Sequence, residues 1–241
     1  GHIDGVEADL IVMRGRPTTL KTRFVAGGQQ LLRVDAEDLR AIDLTTEADI
    51  VMSLEDAAKD ACLIILSDYA KGAITENVIA AAIAAGRAHG IPVIADPKGL
   101  DFARYGEVDL LKPNAMELGQ AMGLMVETDR DAADALAKAM EILPARAIVV
   151  TRAAKGMSFV DRDCAVMHRS GEAREVYDVS GAGDTSIAAL ALGLAAGGSL
   201  AEAVELAIAA SGIAVGKSGT ATVSANELNT ALQMGLRNGG V

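Results

Sequence analysis

The sequence predicts an α/β fold: a mostly parallel sheet covered by helices. Three observations predict it. Short apolar runs of strand length, at residues 63–66, 93–95 and 147–150, alternate with alanine-rich stretches of helix length. Gly90 and Pro92 stand between one such helix and the next strand, as a helix stop and a non-helical residue should. A chain of 241 residues that is 51% hydrophobic can also bury one large core.

In chain order, residues 18–25 and 29–34 flank Ala26-Gly27-Gly28 and read as a β-hairpin with a glycine turn, a sheet margin or a lid. Residues 63–66 follow as a strand, and Cys62 in the same apolar run reads as a small core residue. A helix over 76–89 and a strand over 93–95 come next, then a strand over 147–150 ending in a loop. Helices over 185–196 and 200–215 are separated by Gly197-Gly198-Ser199, where Ser199 can cap the second helix and Glu202 completes a capping box. There is no internal repeat or low-complexity linker, the scattered methionines read as core filler, and residues 1–241 read as one main domain.

Composition excludes several classes of function. A formal charge of −11 opposes a nucleic-acid backbone or an anionic membrane surface, and 2% aromatic residues leave few stacking platforms for single strands. No run of about 18 apolar residues persists, and the amino terminus lacks a basic segment followed by an apolar one. The expectation is a soluble, cytoplasmic protein with no nucleic-acid or membrane partner. Cys62 and Cys164 lie far apart, so no disulfide is expected, and His2, His89 and His168 have no zinc-ligand spacing.

The feature that carries chemistry is Asp178-Val179-Ser180-Gly181-Ala182-Gly183-Asp184-Thr185, a small-residue turn that feeds into a helix. Glycines allow close approach to a phosphate, and the unpaired amides at a helix start stabilise negative charge. A carboxylate there would repel phosphate unless it had a task, and accepting the proton of an attacking hydroxyl is the natural one. On the residues alone, an ordinary glycine turn with a helix cap is an equal reading.

Residues 178–191 fit the second signature of PfkB-type carbohydrate kinases at every position, and on them the sequence resembles the PfkB/ribokinase family. The resemblance implies a ribokinase-like three-layer α/β/α sandwich with a small β lid. It also implies an anion hole made by Gly181, Ala182 and Gly183, with Asp184 as catalytic base. Lys112-Pro113-Asn114-Ala115-Met116-Glu117 looks like the family's Asn-x-x-Glu motif. Asn114 and Glu117, with Ala115 and Met116 between them, are thereby assigned to ATP phosphates and Mg2+; a helix cap plus a surface glutamate is the alternative. Thr151 and Gly156, in Thr151-Arg152-Ala153-Ala154-Lys155-Gly156, resemble the nucleotide-facing loop, and a loop at a strand's carboxyl end is where open sheets bind ligands. Asp178 and Ser180, with the backbone near Gly216 and Gly219, match positions that hold a monovalent cation such as K+ in relatives.

Further segments resemble the heptose 7-phosphate kinases of bacterial lipopolysaccharide synthesis: residues 66–72 (Leu-Ser-Asp-Tyr-Ala-Lys-Gly), 96–99 (Asp-Pro-Lys-Gly) with Asp101, Phe102 and Tyr105, residues 29–35, 175–178 and 215–220. That likeness implies phosphoryl transfer from ATP to the anomeric hydroxyl of D-glycero-D-manno-heptose 7-phosphate. A substrate that already bears a phosphate needs cationic anchors, and Lys98, Lys71 and Arg33 are the candidates, with Asp96 beside Lys98 in the sugar site. The alternatives are a kinase of this family for another sugar or sugar phosphate, or a non-catalytic module that binds nucleotide or sugar.

The sequence departs from the pattern in two places. The family's glycine-rich N-terminal segment is absent, so the expectation is a kinase domain lacking its N-terminal third, with no adenylyltransferase domain after it, and with an exposed strand edge or apolar face. Where relatives carry asparagine near the adenine, this chain has Ile208, which predicts apolar contact and weaker base discrimination. The resemblance further implies a homodimer with the hairpin at its interface. Gly212–Ser218 imitates a P-loop but is one residue short and sits at a helix end, and Gly181-x-Gly183 is not followed by the third glycine of a dinucleotide fold.

Overall fold

The computed structural model describes residues 5–27, 29–171, 179–217, 219 and 221–238. The hairpin forms as expected: β1 (Leu20–Ala26) pairs antiparallel with β2 (Gln29–Ala36) in a separate two-stranded sheet. Phe24, Val25, Leu31, Leu32 and Val34 stay exposed on it, because two strands alone have nothing to bury an apolar face against. Next comes α1 (Leu44–Ala57), whose first turn is capped by the Asp43 carboxylate accepting from Thr46 N at 2.8 Å.

The main sheet has six strands in the order β3 (Ile64–Ser67), β4 (Val93–Asp96), β5 (Leu110–Leu111), β6 (Ala147–Thr151), β7 (Met157–Asp161) and β8 (Met167–Arg169). The first four run parallel, β7 pairs antiparallel with β6, and β8 pairs antiparallel with β7. Parallel neighbours require crossovers: α2 (Glu76–His89) joins β3 to β4, a loop with one 3-10 turn at Ala103–Tyr105 joins β4 to β5, and α3 (Ala115–Met122) with α4 (Asp129–Ile142) joins β5 to β6. Strand alternation sorts the side chains into two cores. Ala95, Ile148 and Val150 face Ile79 of α2, Leu118 of α3 and Leu136 of α4. Ile94, Val149 and Phe159 face Ile187 and Leu190 of α5 (Ala182–Ala195) and Val204 of α6 (Leu200–Val215). The sheet thus lies between two helical layers, and each fully buried Leu, Ile or Phe contributes about 1.5–3 kcal/mol. The last element is α7 (Ala225–Asn238), which packs on α6.

The alanine-rich pair α5 and α6 packs closely because a Cβ at Gly193 would lie 2.8 Å from Ala203 Cα. Ser199 caps α6 through a capping box with Glu202, as the sequence predicts. Other local expectations change. Cys62 is exposed rather than core, since it sits in the turn before β3, and both cysteines are free. Met122 and Met157 are buried, whereas Met52, Met116 and Met125 are exposed. Finally, α5 begins at Ala182 rather than Thr185, so Asp184 lies inside its first turn.

Candidate active site

Four parallel strands end at the same edge of the sheet, and the residues just past their carboxyl ends converge there. They are Asp68 and Tyr69 after β3, Asp96 and Lys98 at the end of β4, Lys112 and Asn114 after β5, and Thr151 at the end of β6. The start of α5 supplies Asp184.

Side chains cap α1, α2, α3, α4 and α6, but none caps α5, whose N-cap is Gly181 in the left-handed conformation at φ 81°. That start is therefore open to an anion in a way the others are not. Gly183 has open space where a Cβ would stand, and both it and Asp184 are exposed. The Tyr69 hydroxyl donates to Asp184 Oδ1 at 2.7 Å. Burial, and secondarily this bond to a carboxylate, holds the Tyr69 phenol above its ordinary pKa.

Asp96 is buried and forms an ion pair with the buried Lys112 at 3.2 Å. Desolvation holds the Asp96 carboxyl above its ordinary range, against the pull of Lys112 and Lys98. Lys98 pairs with Glu117 Oε1. Burial works against the charge of Lys98, yet the bond and field of Glu117, with Asp96 and Asp184 behind it, hold its ammonium above the ordinary value. The other Glu117 oxygen accepts from Asn114 N at 2.9 Å, and Asn114 Oδ1 accepts from Glu117 N at 2.9 Å, the reciprocal bonds of a capping box on α3. The pair is thus a helix cap, but its glutamate is half-buried and ion-paired rather than a free surface group. Ala115 is half-buried and Met116 exposed on that first turn.

Thr151 bridges to the residue before α3 through its N–H to Pro113 O at 3.1 Å. Gly156 adopts φ 83°, and a Cβ there would meet Arg169 O at 2.1 Å, so the loop after β6 requires glycine. Within it, Arg152 is buried and donates to Asp129 at 2.5 Å and to Ser158 at 2.9 Å.

The structure thus gathers Asp184, Lys98, Asp96 and Glu117. Lys71 pairs instead with Glu37 at the end of the hairpin, and Arg33 with Asp35 on β2 at 2.9 Å. Ile208 is half-buried on α6 and packs against the second core. Asp178 lies outside the described residues, as do residues 175–177; Ser180 is half-buried just before Gly181. Asp68, Tyr69 and Lys112 join the site although no role follows for them from the sequence. Among the described residues no group of three His, Cys, Asp or Glu is placed to hold a metal, and no helix is long and apolar enough to cross a membrane.

The family profile described as pfkB family carbohydrate kinase matches residues 3–227. Over 225 residues the chain is 56% identical to the bifunctional protein HldE of Hyphomonas neptunium, covering 93% of this chain and 46% of that protein. Against HldE of Azorhizobium caulinodans it is 49% identical over 226 residues, 94% of this chain and 47% of that one. The chain spans about half the length of these curated relatives. Among solved structures it resembles Arabidopsis thaliana ribokinase complexed with ribose and ATP, with TM-score 0.71 at 22% identity, covering 91% of this chain and 70% of that one. It also resembles phosphofructokinase-2 of Escherichia coli in complex with potassium, with TM-score 0.76 at 22% identity, covering 91% and 71%. At such identities the likeness is one of fold.

Proposed function

The chain belongs to the pfkB family of carbohydrate kinases, and from that premise we propose that it transfers the γ-phosphoryl group of ATP to the anomeric hydroxyl of D-glycero-D-manno-heptose 7-phosphate. The observation that carries the reading is the placement of Asp184: an exposed carboxylate in the first turn of a helix whose start no side chain caps. The sugar oxygen attacks the γ-phosphorus, its proton passes to Asp184, and the bond from that phosphorus to the β–γ bridging oxygen breaks to release ADP. Gly181, Ala182 and Gly183 present backbone amides to the charge that develops on the transferred group.

Asn114 and Glu117, at the start of α3, serve the phosphates and their Mg2+. Both Glu117 oxygens are already engaged, by Lys98 and by Asn114 N. This suits a cation held mainly by phosphates and water, with Glu117 as an outer contact. When bound, Mg2+ supplies charge neutralisation on the triphosphate. Thr151 and Gly156 face the nucleotide, Ile208 gives the adenine an apolar contact, and Ser180 with Asp178 serves a monovalent cation. The active form is a homodimer joined through the exposed apolar side chains of the hairpin, among them Phe24 and Leu32.

For the 7-phosphate, Lys98 is the anchor best supported by position, with Asp96 binding the sugar beside it. With Lys98 paired to Glu117, Lys71 to Glu37 and Arg33 to Asp35, all three cationic candidates already hold carboxylates, which favours a second reading, a kinase of this family whose sugar carries no phosphate. A panel assay separates the two. ATP-dependent turnover is measured with heptose 7-phosphate and with unphosphorylated sugars, and preference for one of the latter would remove the heptose assignment while keeping the kinase.

A further inference from the structure

Tyr69 and Asp184 are far apart in sequence and meet across the site, and the loop that carries Tyr69 is fixed from several directions. Asp68, buried just before it, accepts at Oδ1 from Ala70 N at 2.7 Å and at Oδ2 from the Tyr105 hydroxyl at 2.7 Å, with Arg104 at 3.3 Å. The Tyr105 hydroxyl in turn accepts from Lys98 N at 2.9 Å, and its ring is fully buried. The loops after β3 and β4 are therefore tied together through one phenol, and they deliver Tyr69 to Asp184 and Lys98 to Glu117. Directly after Tyr69, Ala70 sits at φ 53°, a left-handed conformation that is unfavourable for a residue with a Cβ. Such a conformation persists where the surroundings over-determine the loop, and it is commonest at functional sites. Beyond the turn, Gly72 O accepts from Ile42 N at 3.0 Å and closes the loop from the other side.

We propose that Tyr69 is a positioning residue for Asp184: its hydroxyl fixes Oδ1 so that Oδ2 is presented to the sugar hydroxyl. The proposal rests on Asp184 being the base. A carboxylate at an exposed helix start has free rotamers, and a hydroxyl donor removes that freedom while leaving the charge in place. A lysine at the same distance would form an ion pair and hold the carboxylate's electrons more firmly. Phenol is the weaker, neutral choice.

The test compares Tyr69→Phe, Asp184→Asn and the double variant in the intact protein, with ATP, Mg2+ and the sugar that turns over best. Phenylalanine keeps the ring and loses only the bond. Tyr69→Phe should lower kcat roughly ten- to hundredfold, with KM for both substrates moving by no more than roughly twofold. In the Asp184→Asn background it should cost nothing further, because the group it positions is gone. A second readout needs no turnover: the chain has three tyrosines and no tryptophan, so tyrosinate absorbance is unobscured. Asp184→Asn should let one tyrosine ionise at lower pH, since the carboxylate beside Tyr69 is removed. Native turnover in Tyr69→Phe, or an equal loss in both backgrounds, overturns the positioning role while leaving Asp184 as base. Native turnover in Asp184→Asn overturns the base and this proposal together, whereas an unchanged tyrosine titration overturns the positioning alone.

Discussion

Asp184 and Glu117 stand in contrasting surroundings: one carboxylate is exposed and meets a phenol, the other is half-buried and meets an ammonium. Replacing Glu117 by glutamine removes the charge opposite Lys98 and, on the proposed role of Glu117, weakens the outer contact of the cation. The half-saturating Mg2+ concentration should then rise by roughly tenfold or more, read from initial rates across a Mg2+ titration. An unchanged Mg2+ dependence would place Glu117 outside phosphate binding and leave it as a helix cap. Some of this was legible in the sequence. The turn from Gly181 to Asp184 is local, so its glycines and its acid could be read directly, as could Asn114 and Glu117 three residues apart. The contacts of Tyr69 with Asp184, Lys98 with Glu117 and Lys112 with Asp96 join separate strand ends, and no local spacing encodes them. The two cationic candidates nearest the hairpin, Lys71 and Arg33, found carboxylates there for the same reason.

At the scale of elements, α2 and α6 have the limits the sequence predicts, because Thr75 and Gly90 end one and Ser199 and Gly216 the other. Their caps are strong local signals. The sequence puts the start of α5 at Thr185, three residues beyond its true start at Ala182, since Ala182 to Asp184 include a glycine and an acid that favour a turn, whereas the helix begins on Gly181 as its N-cap. Two-residue β5 is too short for any sequence period to reveal, and its place is set by the neighbours β4 and β6. Two element-level changes should report in chemical denaturation. Ser199→Ala removes the acceptor for Glu202 N and half of the capping box, and should cost about 1 kcal/mol. Gly156→Ala forces a Cβ against Arg169 O in a left-handed backbone, and should cost more than about 1 kcal/mol while raising KM for ATP through the displaced loop. A Gly156→Ala protein as stable as the native one would contradict the packing described for the loop after β6.

Across the whole molecule, many carboxylates are held below their ordinary range by hydrogen bonds. Glu227 falls to about 2 from 4.5, chiefly through Lys217, while Asp43 at the start of α1 and Asp129 beside Arg152 are lowered from 3.8. A lowered acid stabilises the folded chain at pH values above its unfolded value, and that contribution disappears as the pH falls through the folded one. Thermal unfolding should accordingly change little from neutrality down to about pH 5 and then fall steeply towards pH 2. Asp96, held up by burial, works in the opposite sense and favours folding as it is protonated. The hairpin, exposed on its apolar side chains, should place two copies together: sedimentation should give a dimer, and Leu32→Asp a monomer. The α/β class was legible from the alternation of apolar runs and helices, but the antiparallel β7 and β8 were not, because the runs that make them follow a loop whose reversal depends on Gly156. The most direct test of the account is the kcat of Asp184→Asn with ATP, Mg2+ and heptose 7-phosphate, set beside the native protein. With Asp184 as the base, kcat falls by roughly two to four powers of ten while the fold and ATP binding are kept. A kcat within a few-fold of native would show that the proton goes elsewhere.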